Sequence, residues 1–452
     1  MKRLIWIAAG VAGASLILSA QNPDIAGIIT KDAGRPFIAI PDLKGSGDAQ
    51  SFMGAFNQTL WDDVSGAGTY RMAPKTMYPL NVPQQPSDFA QTPTTAESYR
   101  GRNLSDWSGP PVNANYLAFG YTAVQNGVLV LYGWLYDLSR GTTANAQVVG
   151  KRYLGSVDEA GARKVAHEFA ADIIAVFGGQ SLFGTHIYFV SDRTAHKEIW
   201  VMDPDGKNQK QVTHFNSVSI EPAVSPDGAR IAFTSYYHTN PAIFVFSVDP
   251  VRDLRFYNQR ASVNSSPSFT PDGKQIIYSS SAPNDRCCRI FIANLDGTGW
   301  RPLTSMGSLD TEPKVNPKTG REMVFSSGRS GPEQIYKMNI DGGDMERLSD
   351  GTGEAANASW HPDGQKIAYA WTRGYATGAW NIFIMDVASR SYIQLTHGEG
   401  KNEHPTWAPD GKHLVFASTR GGRPQIYTML ADGTQVQQLT TAGHNERPVW
   451  GK

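Results

Sequence analysis

The chain has 452 residues, 40% hydrophobic and 18% charged, and its 41 Lys+Arg are balanced by 41 Asp+Glu. This length and composition imply two or three globular domains with sizeable cores and exclude a disordered or collagen-like chain. The charge balance, with no basic run beyond Lys2 and Arg3, argues against nucleic acid as a partner, and two adjacent cysteines, Cys287 and Cys288, exclude a disulfide framework or a metal site of spaced cysteine pairs.

Residues 1–20 have the layout of a secretory signal peptide: Lys2 and Arg3, then an uncharged apolar run from Leu4 to Ala20, then Gln21-Asn22-Pro23-Asp24. The other reading is an uncleaved membrane anchor. Both place the rest of the chain outside the cytoplasm. No later segment is apolar enough over a sufficient length to cross a bilayer, so no stable span is expected after cleavage. Residues 21–35 form an extended N-terminal segment.

Residues 36–182 read as a small α/β domain with a mixed sheet. Phe37–Pro41 is a short strand, and Phe52, Met53, Phe56, Leu60 and Val64 recur at helical spacing. The stretch 70–115 is rich in Pro, Ser, Thr and Gly and resists assignment. Tyr116–Val124, Gly127–Asp137 and Gln147–Leu154 are predicted strands, with a turn at Gln125-Asn126-Gly127. Ser156-Val157-Asp158-Glu159 reads as a capping box opening a helix, with Ser156 as N-cap. Its apolar stripe is Ala162, Val165, Ala166, Phe169, Ile173, Val176 and Phe177, and Gly178-Gly179 ends it.

From residue 183 to 452 the chain repeats itself. Pro-Asp-Gly recurs at Pro226, Pro271, Pro362 and Pro409, with Pro317-Lys318-Thr319-Gly320 filling the gap, at spacings of 45, 46, 45 and 47 residues. Proline presets φ and glycine accepts positive φ, so each copy is a tight turn between strands. An apolar strand ending in small residues follows each turn, then an aromatic-bearing strand such as Ile243-Phe244-Val245-Phe246, then a short polar strand such as Gln438-Leu439-Thr440. Four short strands per period describe a propeller blade, and six copies of the aromatic strand predict six blades. The fold class expected is therefore mainly β, a six-bladed propeller preceded by a small α/β domain. The repeat enters on a second strand at Ile187 and ends on a first strand at Arg447-Pro448-Val449-Trp450, so one blade should join both ends of the propeller.

Signatures of catalysis are missing. Gly-x-Ser-x-Gly, His-Glu-x-x-His and Gly-x-Gly-x-x-Gly do not occur where they would carry chemistry, and Asp203-Pro204-Asp205-Gly206 lacks the later ligands of a calcium loop. No cofactor and no metal is expected, and the protein reads as a binding protein. The candidate surface is the set of loops leading into the inner strands. These carry Glu221, Glu312, Glu403 and Glu446 at positions taken as equivalent, with His404 and His444 beside them. Two readings stand: an acidic rim that attracts a partner's cations, or glutamates that only bond a neighbouring blade.

These features together resemble the TolB family, the periplasmic component of the Tol–Pal system. Gly34-Arg35-Pro36 with the following hydrophobic strand, Glu221-Pro222-Ala223-Val224-Ser225-Pro226-Asp227-Gly228, Glu312-Pro313 and Gly422-Arg423-Pro424-Gln425-Ile426-Tyr427 carry the resemblance. It implies a periplasmic non-enzyme that binds the lipoprotein Pal at the propeller face, serving envelope integrity and cell division. The positions so implied are Asn264, Ser265, Ser266, Thr311 and Glu312, and with Val263 and the rim residues Glu221, Glu403, His404, His444 and Glu446 they make up the expected Pal face. It further implies that the segment with Ile25, Ala26, Gly27, Ile28, Ile29 and Thr30 engages TolA, and that OmpA-like outer-membrane proteins are further partners. A propeller enzyme, or a ligand-binding propeller acting on peptide or glycan, remains the alternative.

Overall fold

The computed structural model describes residues 34–90, 100–248, 263–281, 288–305 and 307–452, and the backbone of 251–253. The proposed signal peptide and the segment Ile25–Thr30 lie outside the described residues.

The N-terminal unit is a six-stranded mixed sheet of β1 (Phe37–Ala39), β2 (Lys44–Ser46), β3 (Arg71–Met72), β4 (Tyr116–Gln125), β5 (Val128–Asp137) and β6 (Gln147–Gly155). Its order is β3-β1-β4-β5-β6, with β2 also pairing β4. β4 and β5 form a hairpin with Gln125 opposite Val128, and Asn126 and Gly127 both take positive φ in the turn, which the Asn-Gly pair favours. Two helices, α1 (Met53–Gly66) and α2 (Glu159–Ala175), cover one face and bury Phe56, Leu60, Val64, Val165, Phe169 and Ile173 there. The other face is covered by described residues of the stretch 70–115. Phe89, Trp107 and Val112 pack on Leu117, Phe119 and Tyr136. Irregular backbone serves here because a few aromatic anchors supply the apolar area, and Trp107 is tied back by its Nε1–H to Gly101 O at 2.9 Å.

One detail of α2 corrects the sequence expectation. The N-cap is Asp158, whose carboxylate accepts the Gly161 N–H at 2.7 Å, whereas Ser156 Oγ donates to that carboxylate at 2.7 Å. Both residues suit a cap. Asp158 holds the extended φ, ψ that lets its side chain turn back over the first turn.

The rest is six four-stranded antiparallel sheets. The inner strands of blades 1 to 6 are Ser219–Val224, Asn264–Phe269, Asp310–Val315, Ala355–Trp360, Asn402–Trp407 and Asn445–Gly451. Blade 6 takes that inner strand from the C-terminal end and its other three from His186–Ser191, Glu198–Met202 and Lys210–Gln211, the closure the repeat phase predicted. Neighbouring blades stack through apolar clusters. Tyr188, Val190 and Ile199 of blade 6 meet Ile231, Phe233 and Phe244 of blade 1. The second and third strands are covered on both faces, which is why they read as continuous apolar runs.

The α/β unit meets the propeller on the side of the Pro-Asp-Gly turns. Lys412, just past the turn of blade 5, donates from Nζ to Thr69 Oγ1 at 3.2 Å and Ala67 O at 3.4 Å. Among the described residues, that unit does not cover the opposite face, where chain enters the inner strands. Among the described residues no helix is long and apolar enough to cross a membrane.

Candidate functional site: the central channel and its mouth

Every inner strand breaks register with its neighbour at the same place. The slips fall between Ile220 and Ala223, Ser265 and Ser268, Thr311 and Lys314, Ala356 and Ser359, Glu403 and Thr406, and Glu446 and Val449. The third residue of each strand is left-handed: Glu221, Ser266, Glu312, Asn357, His404 and Arg447 have φ between 50° and 59°. Except after Asn357, a proline follows, and a residue without an N–H is tolerated where the ladder is already broken. A left-handed non-glycine residue costs roughly 1–2 kcal/mol, so six in one ring mark a place that the surrounding structure holds in tension.

The ring side chains answer the backbone groups that the bulges release. Glu221 Oε2 accepts the Ser266 N–H at 2.6 Å and the Thr234 hydroxyl at 2.8 Å. Glu312 Oε2 accepts the Asn357 N–H at 3.0 Å, and Asn357 Oδ1 accepts the His404 N–H at 3.3 Å. Arg447 Nη1 lies 3.4 Å from Glu221 Oε1 and 3.7 Å from Glu312 Oε1. The ring surrounds a cavity of about 330 Å³ on the propeller axis, walled by prolines such as Pro222, Pro267, Pro405 and Pro448.

Electrostatics in the ring follow from burial. Burial opposes the Arg447 charge, but Glu221 and Glu312, with Glu446 and Glu403, outweigh it and raise its pKa. Burial holds His404 well below the usual imidazole range, and Arg447, Lys401 and Lys314 reinforce this, so the ring is neutral at His404 near pH 7. Burial lowers Lys314, partly offset by Glu312 and Glu221. At the mouth, burial with repulsion from Glu312 and Glu354 pushes Glu333 up to about 7, although Thr311 Oγ1 approaches its Oε1 at 3.5 Å.

The four glutamates taken as equivalent occupy two different positions. Glu221 and Glu312 are third in their strands and belong to the ring; Glu403 and Glu446 are second, one residue before His404 and Arg447. All four lie within strands, not in the loops before them. A one-residue offset turns a side chain to the other face, so Glu403 pairs with Lys401 at 2.9 Å and Glu446 with Lys197 at 2.6 Å. These four glutamates are thus each paired with a cation of the same chain, and the reading of glutamates that bond a neighbouring blade describes Glu221 and Glu312.

Ser266 joins the ring. Ser265 and Thr311 sit one residue earlier, half-buried beside it, as does Val263 just ahead of the strand. Asn264 is interior, its Oδ1 accepting the Ser280 hydroxyl at 2.8 Å. His444 lies outside the channel and pairs with Asp192 at 2.6 Å. Sequence reasoning missed Asn357, Arg447 and Lys314. The residue before each inner-strand proline recurs in phase with the blades, and that signal leads to Arg447; Asn357 escapes it because Ala358 follows. Among the described residues no group of three or more His, Cys, Asp or Glu could hold a metal ion.

Fold and site together define a β-propeller with a polar, internally paired channel ring and an α/β unit on the opposite face. A family model described as the TolB beta propeller domain matches residues 175–377 and 359–452, and the chain belongs to the TolB family. It is 31% identical over 320 residues to a protein TolB homolog of Chlorobium luteolum, covering 70% of this chain and 66% of that one. It is also 31% identical over 241 residues to the Tol-Pal system protein TolB of Bordetella pertussis, covering 53% of this chain and 52% of that one. The chain thus spans between about half and two thirds of the length of these relatives. The crystal structure of TolB from Acinetobacter baumannii superposes with a TM-score of 0.72 over 92% of this chain and 96% of that one, at 21% identity, a likeness of fold.

Proposed function

We propose that this protein is a periplasmic, non-catalytic binding scaffold of the Tol–Pal system. It binds the lipoprotein Pal through the propeller face around the ring and TolA through residues 21–35. In this way it supports outer-membrane integrity and constriction of the envelope at division. OmpA-like proteins are further partners in this reading. Export by cleavage after Ala20 and a division of the mature chain at 36–182 and 183–452 belong to it. The observation that carries it is a set of exposed apolar side chains on that face. Opposite the α/β unit, the loops around the ring expose Val218, Tyr236, Tyr237 and Leu309, with Tyr237 52% exposed. Large exposed apolar groups around a preorganised polar mouth suit a protein partner. The name carried by the Bordetella pertussis relative supports the same system.

Calorimetry with soluble Pal tests it. Ser266→Arg, which crowds the ring, and Tyr237→Ala should each weaken binding roughly ten-fold or more. Lys274→Ala, exposed on the Pro-Asp-Gly side, should not. Loss on Lys274→Ala alone would put the partner on the other face, and no heat with wild type would remove Pal as the partner.

A further inference from the structure

The channel holds a cation without an ion-pair partner among the described residues. Lys314 is fifth in the inner strand of blade 3, two residues past Glu312. The same register in the other blades carries Ala223, Ser268, Ser359, Thr406 and Val449, all of them short and all lining the cavity. One long side chain therefore enters a space that its five counterparts leave open. Its ammonium makes no ion pair and no hydrogen bond with any described residue, although Glu312, Glu221 and Arg447 act on it through space. Both glutamates are already committed, Glu221 to Ser266 N–H and Arg447, Glu312 to Asn357. Lys314 is half-buried in the channel, and an acceptor that carries negative charge would replace water on its ammonium with charge-assisted hydrogen bonds.

We infer that the channel is a carboxylate-binding pocket anchored by Lys314. The guest carboxylate accepts hydrogen bonds from Lys314 Nζ, with the hydroxyls of Ser268 and Ser359 at the same level. Its apolar carrier lies along Pro222, Pro267 and Pro405. The walls select against a dianion such as phosphate, because Glu221 and Glu312 share the cavity and one ammonium balances one charge. A cavity of about 330 Å³ suits a small apolar acid or a single acidic side chain with its neighbours. The inference does not depend on which protein binds the outer face.

The test is calorimetry on the mature full-length chain with two pairs of probes. One pair is hexanoate and hexanol; the other is acetyl-Leu-Glu-Leu-amide and its Gln counterpart. Wild type should bind the acid of at least one pair roughly ten-fold more tightly than its neutral partner. Lys314→Met should erase that preference while melting no lower than wild type, since it removes a half-buried charge that its surroundings disfavour. Ser268→Leu, which fills the same level from another blade, should block both acids and guards against misfolding of the first variant. Binding of hexanoate with no binding of the Glu peptide identifies a free small acid as the guest; the reverse identifies a segment of a protein. If neither acid binds wild type, or Lys314→Met binds the acids as wild type does, the inference is overturned. Retention of Pal by Lys314→Met would show the channel and the outer face to be separate sites.

Discussion

The Arg447 guanidinium lies 3.4 Å from the Glu221 carboxylate across 226 residues of sequence. The contact joins the inner strand that closes the ring to the blade beside it. A second carboxylate, Glu312, stands 3.7 Å from the same guanidinium, so one cation holds two anions at the channel mouth.

Removing that cation should leave two carboxylates facing each other. Arg447→Met is expected to cost about 2–3 kcal/mol, below the figure for a fully buried pair because the Arg447 side chain keeps 29% exposure. The loss should be larger at low salt than at about 1 M salt, where screening weakens the repulsion left behind. Urea midpoints of both proteins at both salt concentrations measure it. Equal losses at the two salt concentrations would mean that packing of the arginine, not its charge, is what the ring needs.

Closure of the propeller makes a second demand on the same strand. Trp450 is nearly buried, and its Nε1–H donates to Thr185 Oγ1 at 2.9 Å. Deleting residues 446–452 should lower the melting temperature far below that of the whole chain, because blade 6 loses its inner strand and blade 5 a neighbour. Trp450→Ala should by itself cost about 3–5 kcal/mol. An unchanged melting temperature on deletion would contradict the closure.

The blades were legible because four features recur in phase, and the phase alone placed the joint between Ile187 and Trp450. The ring could be counted in the same way: Glu221, Glu312 and His404 each stand five residues before the proline of their turn, and taking Glu403 as the counterpart of Glu312 followed residue type against that count. Lys314 was hidden for another reason. It is unremarkable in a polar strand, and only the register across blades shows that its counterparts are short. The stretch 70–115 lacks any period, and among its described residues Phe89 and Trp107 make long-range contacts that no local pattern announces.

The cap of α2 separates two residues that sequence makes equally plausible. Hydrogen bonds from Gly161 N–H and Ser156 hold the Asp158 carboxyl below its ordinary range. Asp158→Ala should lower the melting temperature more than Ser156→Ala does. A depressed folded pKa means stability present above the unfolded pKa of 3.8 and lost as pH falls through the folded value. The gap between wild type and Asp158→Ala should therefore close in strong acid. A larger effect of Ser156→Ala would return the cap to Ser156.

Glu333 sets the opposite pH dependence. It stands half-buried just before the third strand of blade 3, with Glu312 and Glu354 as like-charged neighbours and Thr311 as its hydrogen-bond donor. Burial first, then repulsion, raises it from 4.5 to about 7. An acid with a raised folded pKa binds its proton more tightly when folded, so its contribution favours the fold at low pH. That contribution falls as pH rises from 4.5 to about 7, and the cost is complete above that. Glu333→Gln keeps the shape and removes the titration. Its stability relative to wild type should be level near pH 4.5, rise across the window, and stay flat from pH 8 upward. Chemical denaturation at pH 4.5, 6, 7 and 8 reads this directly. A difference that does not change with pH would show that Glu333 titrates as an ordinary glutamate and that solvent reaches it. Because Thr311 also belongs to the proposed Pal face, the same window predicts a pH-dependent affinity there. Pal should bind wild type differently at pH 6 and pH 8, and bind Glu333→Gln alike at both.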